Sequence, residues 1–170
     1  PVRLWVCKAL GLCGPVVAGP GPGSCGRELA VMAVSDPEDG VREMAARVLG
    51  TLGNNAVPHF QWMIEKLYSS NKEEQDCVCA AFAYALSVRD LQAKRVLVRV
   101  LHPVVQSAEE AERHQCRTSG VSPLALADSP VKAERREAVA ALEGALQDDD
   151  FETRLRAMEE LRALSSRSMV

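Results

Sequence analysis

At 170 residues the chain can form one ordinary domain and bury a useful core. Apolar residues make up 47% but aromatics only 4%, so the core must be built from Leu, Val, Ala and Cys, which suits close helix packing better than a sandwich of sheets. A balance of 20 basic against 23 acidic side chains gives no surplus positive charge for a phosphate backbone, and no window approaches the ~20 uninterrupted apolar residues of a membrane span. Neither nucleic acid nor membrane is an expected partner.

The chain opens PVRLWVCKALGLCG, residues 1–14, with no initiator Met and no signal-peptide pattern, and reads as an excerpt from a longer polypeptide. GPVVAGPGPGSCG, residues 14–26, carries Gly or Pro at each of positions 19–22 and cannot continue a helix, so an extended linker is expected there. SDPEDGVREMAARVLGTLG, residues 35–53, then begins a helix with clear punctuation. Asp36 before Pro37 supplies a cap acceptor, Glu38 and Asp39 suit the positive helix end, and Gly53 with Asn54 and Asn55 makes the stop. Val41, Met44, Ala45, Val48, Leu49 and Leu52 fall on one helical stripe.

AVPHFQWMIEKLYSS places Val57, Phe60, Ile64 and Leu67 at helical spacing and predicts an outer partner helix. CVCAAFAYAL, residues 77–86, is apolar almost all round and should lie between neighbours. Residues 90–101 carry Gln92, Arg95 and Arg99, with His102 next in the same stripe, opposite Ala93, Leu97, Val100 and Leu101, after which Pro103 is expected to interrupt. CRTSGVSPLALADSP, residues 116–130, predicts a loop insertion. An amphipathic helix over 131–147 follows through Val131, Ala138, Val139, Leu142 and Leu146. Asp148 to Asp150 then turn the chain into a last helix through Phe151, Leu155, Met158 and Leu161.

Two of these segments repeat a third. Sliding residues 1–14 onto 40–53, an offset of 39, pairs Val2 with Val41, Arg3 with Arg42, Leu10 with Leu49, Gly11 with Gly50 and Gly14 with Gly53. An offset of 112 aligns Arg42 with Arg154, Ala45 with Ala157, Leu49 with Leu161 and Leu52 with Leu164. The interval suits helical-pair repeats, which must stack because one pair cannot bury its own apolar faces.

Asp36 and Arg42 are six apart, as are Asp148 and Arg154, and AARVLGTLG ends a helix of small and aliphatic residues. In these features the chain resembles the HEAT-repeat family, with armadillo-like arrays close by. The resemblance implies an all-α fold, a single α-solenoid segment of stacked antiparallel helix pairs over 1–170. It also implies an inter-repeat ladder of Asp36, Arg42, Asp148 and Arg154. The unit at 57–88 departs from the pattern, with Ser70 standing six before Asp76.

No chemical motif competes with this reading. His59, His102 and His114 belong to no metal pattern, and Cys77 and Cys79 would point roughly 200° apart on a helix. His114-Gln115-Cys116 lacks further ligands, the prolines of GPGPG remove the N–H donors of a phosphate cradle, and the three aspartates suit a helix-starting turn. Most of the six cysteines read as buried thiols, which places the chain in a reducing, intracellular and cytoplasmic setting. Trp5, at the position of Met44 in the next copy, is expected in the core.

The expectation is therefore a non-enzymatic protein–protein interaction scaffold within a multi-subunit assembly, without cofactor, metal or small-molecule substrate. If the second helices line the inner wall, Lys8, Glu43, Arg47, Arg156 and Glu159 are the partner-binding candidates, the same side chains that an ordinary solvated face would carry. Cytoskeletal or ciliary assemblies, transport adaptors and phosphatase scaffolds are all open as settings. A HEAT-like enzyme of lyase or glycosylase type and a purely structural spacer are the alternatives.

Overall fold

The computed structural model describes residues 1–18, 24–118, 137 and 140–166, without the side chains of 107–118 and 166. Every regular element among them is helical: α1 (Val2–Cys13), α2 (Cys25–Ser35), α3 (Asp39–Thr51), α4 (Val57–Leu67), α5 (Lys72–Ala85), α6 (Leu91–Thr118), α7 (140–145) and α8 (Phe151–Ser166), with 3-10 turns at Gly14–Ala18 and Gly53–Ala56. No described helix is long and apolar enough to cross a membrane.

The helices form two rows. α1 packs on α3, α3 on α5 and α5 on α8 in one row, while α2 meets α4 and α4 meets α6 in the other. Cross-row contacts join α2 to α3, α4 to α5 and α6 to α8. α1, α3 and α5, the first three helices of the first row, called the inner row, run parallel. Arg3 near the start of α1 meets Asp36, at the turn leading into α3, and Gly11 further along α1 faces Val48. Likewise, Arg42 and Cys77 share a cleft near the starts of α3 and α5, and Gly50 abuts the Ala85 carbonyl near their ends.

α5 is buried almost all round through Val78, Cys79, Ala81, Phe82, Ala83 and Ala85, because neighbours from both rows surround it. Its small side chains let the flanking helices approach closely. Phe82 supplies bulk against Phe60 of α4, with ring centroids 5.6 Å apart. α3 buries Val41, Ala45, Val48 and Leu49 and ends where Gly53 takes φ of +56°, a left-handed stop that favours glycine.

Several expectations need correction. α2 fills a stretch where the sequence pattern had marked no element: the linker expected over 14–26 is a 3-10 turn at Gly14–Ala18 and, from Cys25, the start of this helix, with 19–23 outside the described residues. Pro103 lies inside α6, which continues to Thr118, so the loop expected over 116–130 cannot begin before residue 119, where the description stops. The lost N–H of one proline is tolerated because Leu101, Val104 and Val105 bury the same face on both sides of it. Trp5 is 69% exposed, whereas Cys7, two residues on, is fully buried and forms the real contact of α1 with the core.

The last helix is the largest departure from a uniform stack. α8 runs antiparallel to α5: Phe151 stacks on Tyr84 near the C-terminal end of α5, with centroids 4.2 Å apart, while Arg162 reaches Gln75 and Asp76 near its start. α6 begins at the same end as α8, with Lys94 Nζ donating to the Gln147 carbonyl at 2.7 Å. Ala157, Met158 and Leu161 are buried in the seam that α8 makes with α5 and α6.

In the other row the close approach of α2 and α4 rests on Gly26, where an added Cβ would collide with the His59 ring. His59 is buried and its Nε2 has no hydrogen-bond partner. Burial first, and the Arg27 charge second, hold its pKa below the ordinary histidine value.

Two measurements probe this packing. Gly50→Ala gains up to ~1 kcal/mol of helix propensity but forces a methyl group into the Ala85 carbonyl, a strain of about 1–3 kcal/mol. Urea denaturation should show it net destabilised, while Gly40→Ala, which meets open space, should be neutral or stabilising. Because His59 binds its proton less readily folded than unfolded, the stability it supports is present above about pH 6.5 and is lost as pH falls, by at most ~1.4 kcal/mol per pH unit. His59→Leu should flatten the denaturation midpoint between about pH 7 and 5.5; an unchanged slope refutes the assignment.

Candidate functional site

Polar chemistry concentrates where inner-row helices begin, and the same construction occurs three times. In the turn before α3, Asp36 Oδ1 accepts from the Glu38 N–H at 3.0 Å, and Arg42 Nη1 donates to the Asp36 carbonyl at 2.7 Å. Before α8, Asp148 Oδ1 accepts from the Asp150 N–H at 2.8 Å, and Arg154 Nη1 donates to the Asp148 carbonyl at 2.8 Å. Before α5 the same bonds are made by neutral groups: Ser69 Oγ accepts from the Asn71 N–H at 3.3 Å, and Gln75 Nε2 donates to the Ser69 carbonyl at 2.5 Å. A side chain at position i captures the N–H of i+2, and the side chain at i+6 captures the carbonyl of i. Each turn closes on itself before its helix propagates.

The departing unit therefore keeps the lock in a different register, Ser69 with Gln75 in place of Ser70 with Asp76. Its signal in the sequence was the six-residue spacing of two polar side chains, masked by the change of charge type.

The four residues expected in an inter-repeat ladder, Asp36, Arg42, Asp148 and Arg154, make different kinds of contact. Arg3 Nε reaches Asp36 Oδ2 at 2.8 Å, so an arginine of one inner helix does meet the turn of the next. Asp36 is 5% exposed and Arg3 53%, which makes this a screened pair worth ~0.5–1 kcal/mol. Arg42 turns instead to Asp39 and to its own turn. Asp148 and Arg154 lie at the opposite ends of the helices because α8 is reversed, and Arg154, buried to 2%, donates from Nε to the Ala83 carbonyl at 2.8 Å. Burial first and Arg47 second hold the Arg154 pKa below its usual value.

Between the locks before α3 and α5 opens a cleft of about 520 Å³, lined by Asp36, Pro37, Arg42, Asn71, Glu73, Glu74 and Cys77 among others. Two of its polar side chains already have partners: Asn71 Oδ1 accepts from the Glu73 N–H at 3.0 Å, and Glu74 pairs with Lys66 at 3.0 Å. The Lys66 hydrogen bond accordingly leads the causes that keep the Glu74 carboxyl below its ordinary range.

The five partner-binding candidates lie on three helices, α1, α3 and α8. Lys8 and Arg47 occupy equivalent positions on the neighbouring parallel helices α1 and α3, and both are exposed. Glu43 pairs with Arg47 at 2.9 Å, as their spacing on the helix predicts, and the Arg47 guanidinium sits 5.8 Å from the centroid of Tyr84. Arg156 and Glu159 are exposed on α8, where the reversal cancels the sequence equivalence of Glu159 with Lys8 and Arg47. Tyr84 is the member that sequence reasoning missed; on an all-apolar helix nothing distinguished it from the core residues beside it.

Cys7 and Cys79 are buried thiols, Cys25 and Cys77 are half-buried, and Cys13 is exposed, with no disulfide among the described residues. Burial pushes the Cys79 thiol up to about 12, so it is packing material with little thiolate character. Among the described residues no cluster of three or more His, Cys, Asp or Glu could hold a metal ion. Asp150 Oδ2 accepts from both the N–H and the hydroxyl of Thr153 at 2.9 Å, which gives the aspartate run a helix-starting role. The side chains of His114 and Cys116 lie outside the described residues.

Comparison of the chain with protein-family models, with curated proteins and with solved structures found no match in any of the three.

The lock before α3 gives a direct test. Asp36→Ala removes the bond to the Glu38 N–H together with the Arg3 pair and should cost about 1–2 kcal/mol in urea denaturation. Gln75→Ala should cost about 0.5–1.5 kcal/mol, since it removes one neutral bond. Equal stability of both variants with the parent would show that the turns hold without these side chains.

Proposed function

We propose that residues 1–86 form a HEAT-like solenoid segment that acts as a non-enzymatic docking scaffold for other proteins. The observation that carries this reading is the parallel succession of α1, α3 and α5, each backed by the second row and joined through turns of one design. Such a row presents a continuous surface instead of a pocket, and affinity along it comes from many modest contacts. The exposed charges Lys8 and Arg47, with Glu43 and Tyr84 beside them, are the contact candidates on this surface. In this reading α6, α7 and α8 close the side of the segment beyond α5. Buried free thiols fit a reducing, intracellular setting, and an assembly of cytoskeletal or ciliary type is one context that such a scaffold would serve.

One observation favours the catalytic alternative of lyase type. The cleft at the turn edge gathers acids, Arg42 and the Cys77 thiol. Against it, Asp36 and Glu74 are engaged in ion pairs, so neither is free to move a proton without breaking a structural contact.

Proximity cross-linking with mass spectrometry on the native protein tests the scaffold. Cross-links from Lys8 to one recurrent protein are expected, and Arg47→Glu should lower their yield about tenfold, the effect of losing ~1.4 kcal/mol of binding. Cross-links confined to the chain itself would transfer support to a spacer role.

A further inference from the structure

α6 carries charge of a single sign on its exposed face. Between Leu91 and Ala108 the sequence holds Lys94, Arg95 and Arg99 and no Asp or Glu, in a chain whose net charge is −3. Leu97, Leu101 and Val104 bury one side of the helix in the core. Arg95, Arg99, His102 and Gln106 fall on the other side at helical spacing, and all four are exposed.

These arginines differ from those of the inner row. Arg3, Arg42, Arg47 and Arg162 each reach a carboxylate, whereas Arg95 and Arg99 have no ion pair among the described residues. Lys94 is turned aside to the Gln147 carbonyl. Asp90, the acid nearest to Arg95 in sequence, is engaged in starting α6, where its Oδ1 accepts from the Gln92 N–H at 2.9 Å. The Gln106 amide donates to His102 Nε2 at 3.1 Å, which ties those two side chains together along the stripe.

Spacing and an apolar neighbour narrow the choice of occupant. At 1.5 Å of rise per residue, Arg95 and Arg99 stand about 6 Å apart along the axis, the same rise that separates carboxylates four residues apart on another helix. Leu91 is 69% exposed and lies on the same stripe, one turn before Arg95. An apolar contact beside two cations suits a protein segment better than a run of phosphates. A nucleic acid would also meet the excess of acids over the whole chain, 23 against 20 bases. A membrane surface would need the apolar side of α6, which the core already occupies.

We propose that the Leu91–Arg95–Arg99–His102 stripe of α6 docks an acidic helical segment of a partner protein, with two carboxylates four residues apart and an apolar side chain one turn away. The carboxylates pair with Arg95 and Arg99, whose planar guanidinium groups can each offer two N–H donors to one carboxylate, and the apolar side chain covers Leu91. The stripe belongs to the second row, whereas Lys8 and Arg47 belong to the first, so this site does not depend on the scaffold surface described above.

Fluorescence polarisation with the full chain and two stapled helical peptides tests it. One peptide carries a Leu and, one turn on, two Glu four residues apart; the other has Gln in place of each Glu. At low salt the Glu peptide should bind with a midpoint at least ~10-fold below that of the Gln peptide, and the difference should shrink as salt is raised. Arg95→Glu and Arg99→Glu should each weaken the Glu peptide about 10-fold, the double variant should prefer a Lys version of the peptide, and Leu91→Ser should weaken binding about 3-fold. All three positions are exposed, so the fold is retained. Lys72→Glu makes the same change of net charge at an exposed site on α5 and should leave binding unchanged. Equal binding of both peptides, or none up to ~1 mM, overturns the proposal. So does an equal loss with Lys72→Glu, which means net charge alone, and so does tighter binding of single-stranded RNA or of phosphatidylglycerol vesicles than of the Glu peptide, which means a phosphate surface. The Lys8 cross-links test the scaffold surface separately, so either reading can fail alone.

Discussion

Three of the described helices, α3, α5 and α8, begin with a turn that satisfies itself. The first N–H groups and the carbonyls of a reversing backbone lack partners, and leaving them bare inside a packed stack is costly. Asp36 with Arg42, Ser69 with Gln75 and Asp148 with Arg154 supply those partners over six residues, so each helix starts at a fixed residue and leaves in a fixed direction. Charged and neutral versions do the same work because the carbonyl needs a donor, not a cation. That is why one unit can lose both its Asp and its Arg without losing its turn.

With the turns fixed, side-chain size sets the spacing of the rows. Gly50 beneath the Ala85 carbonyl, Gly11 beneath Val48 and Gly26 beneath His59 mark three approaches that a larger residue would hold apart. Few aromatics are needed in such a core. Phe60 and Phe82 fill the one place where α4 and α5 leave room for rings, and the remainder is Leu, Val, Met, Cys and Ala.

The helical class, the stripe on α3, the enclosure of α5 and the polar edge of α6 were legible because each depends on local period and composition. α2 was hidden because its lead-in is rich in Gly and Pro, and punctuation of that kind outweighs a short apolar run when the chain is read by itself. The exposure of Trp5 and the reversal of α8 could not be read from any segment alone. Phe151, Leu155, Met158 and Leu161 define a stripe but not the direction in which it lies on its neighbour, and the copy at 153–165 matches α3 in sequence while opposing α5 in space. Of the candidate site, the pair of Glu43 and Arg47 followed from helical spacing, whereas Tyr84 beneath Arg47 required knowing which helices are adjacent.

The antiparallel placement of α8 gives the inner row a polarity. A parallel helix leaves on its far side a surface ready for the next of its kind, as α1 leaves for α3 and α3 for α5. An antiparallel one brings its Asp148–Arg154 lock to the wrong edge, and its Arg162 occupies Gln75 and Asp76, where a successor would have to register. The row therefore has two unlike sides, three parallel helices whose turns share one edge and a fourth whose turn lies at the other.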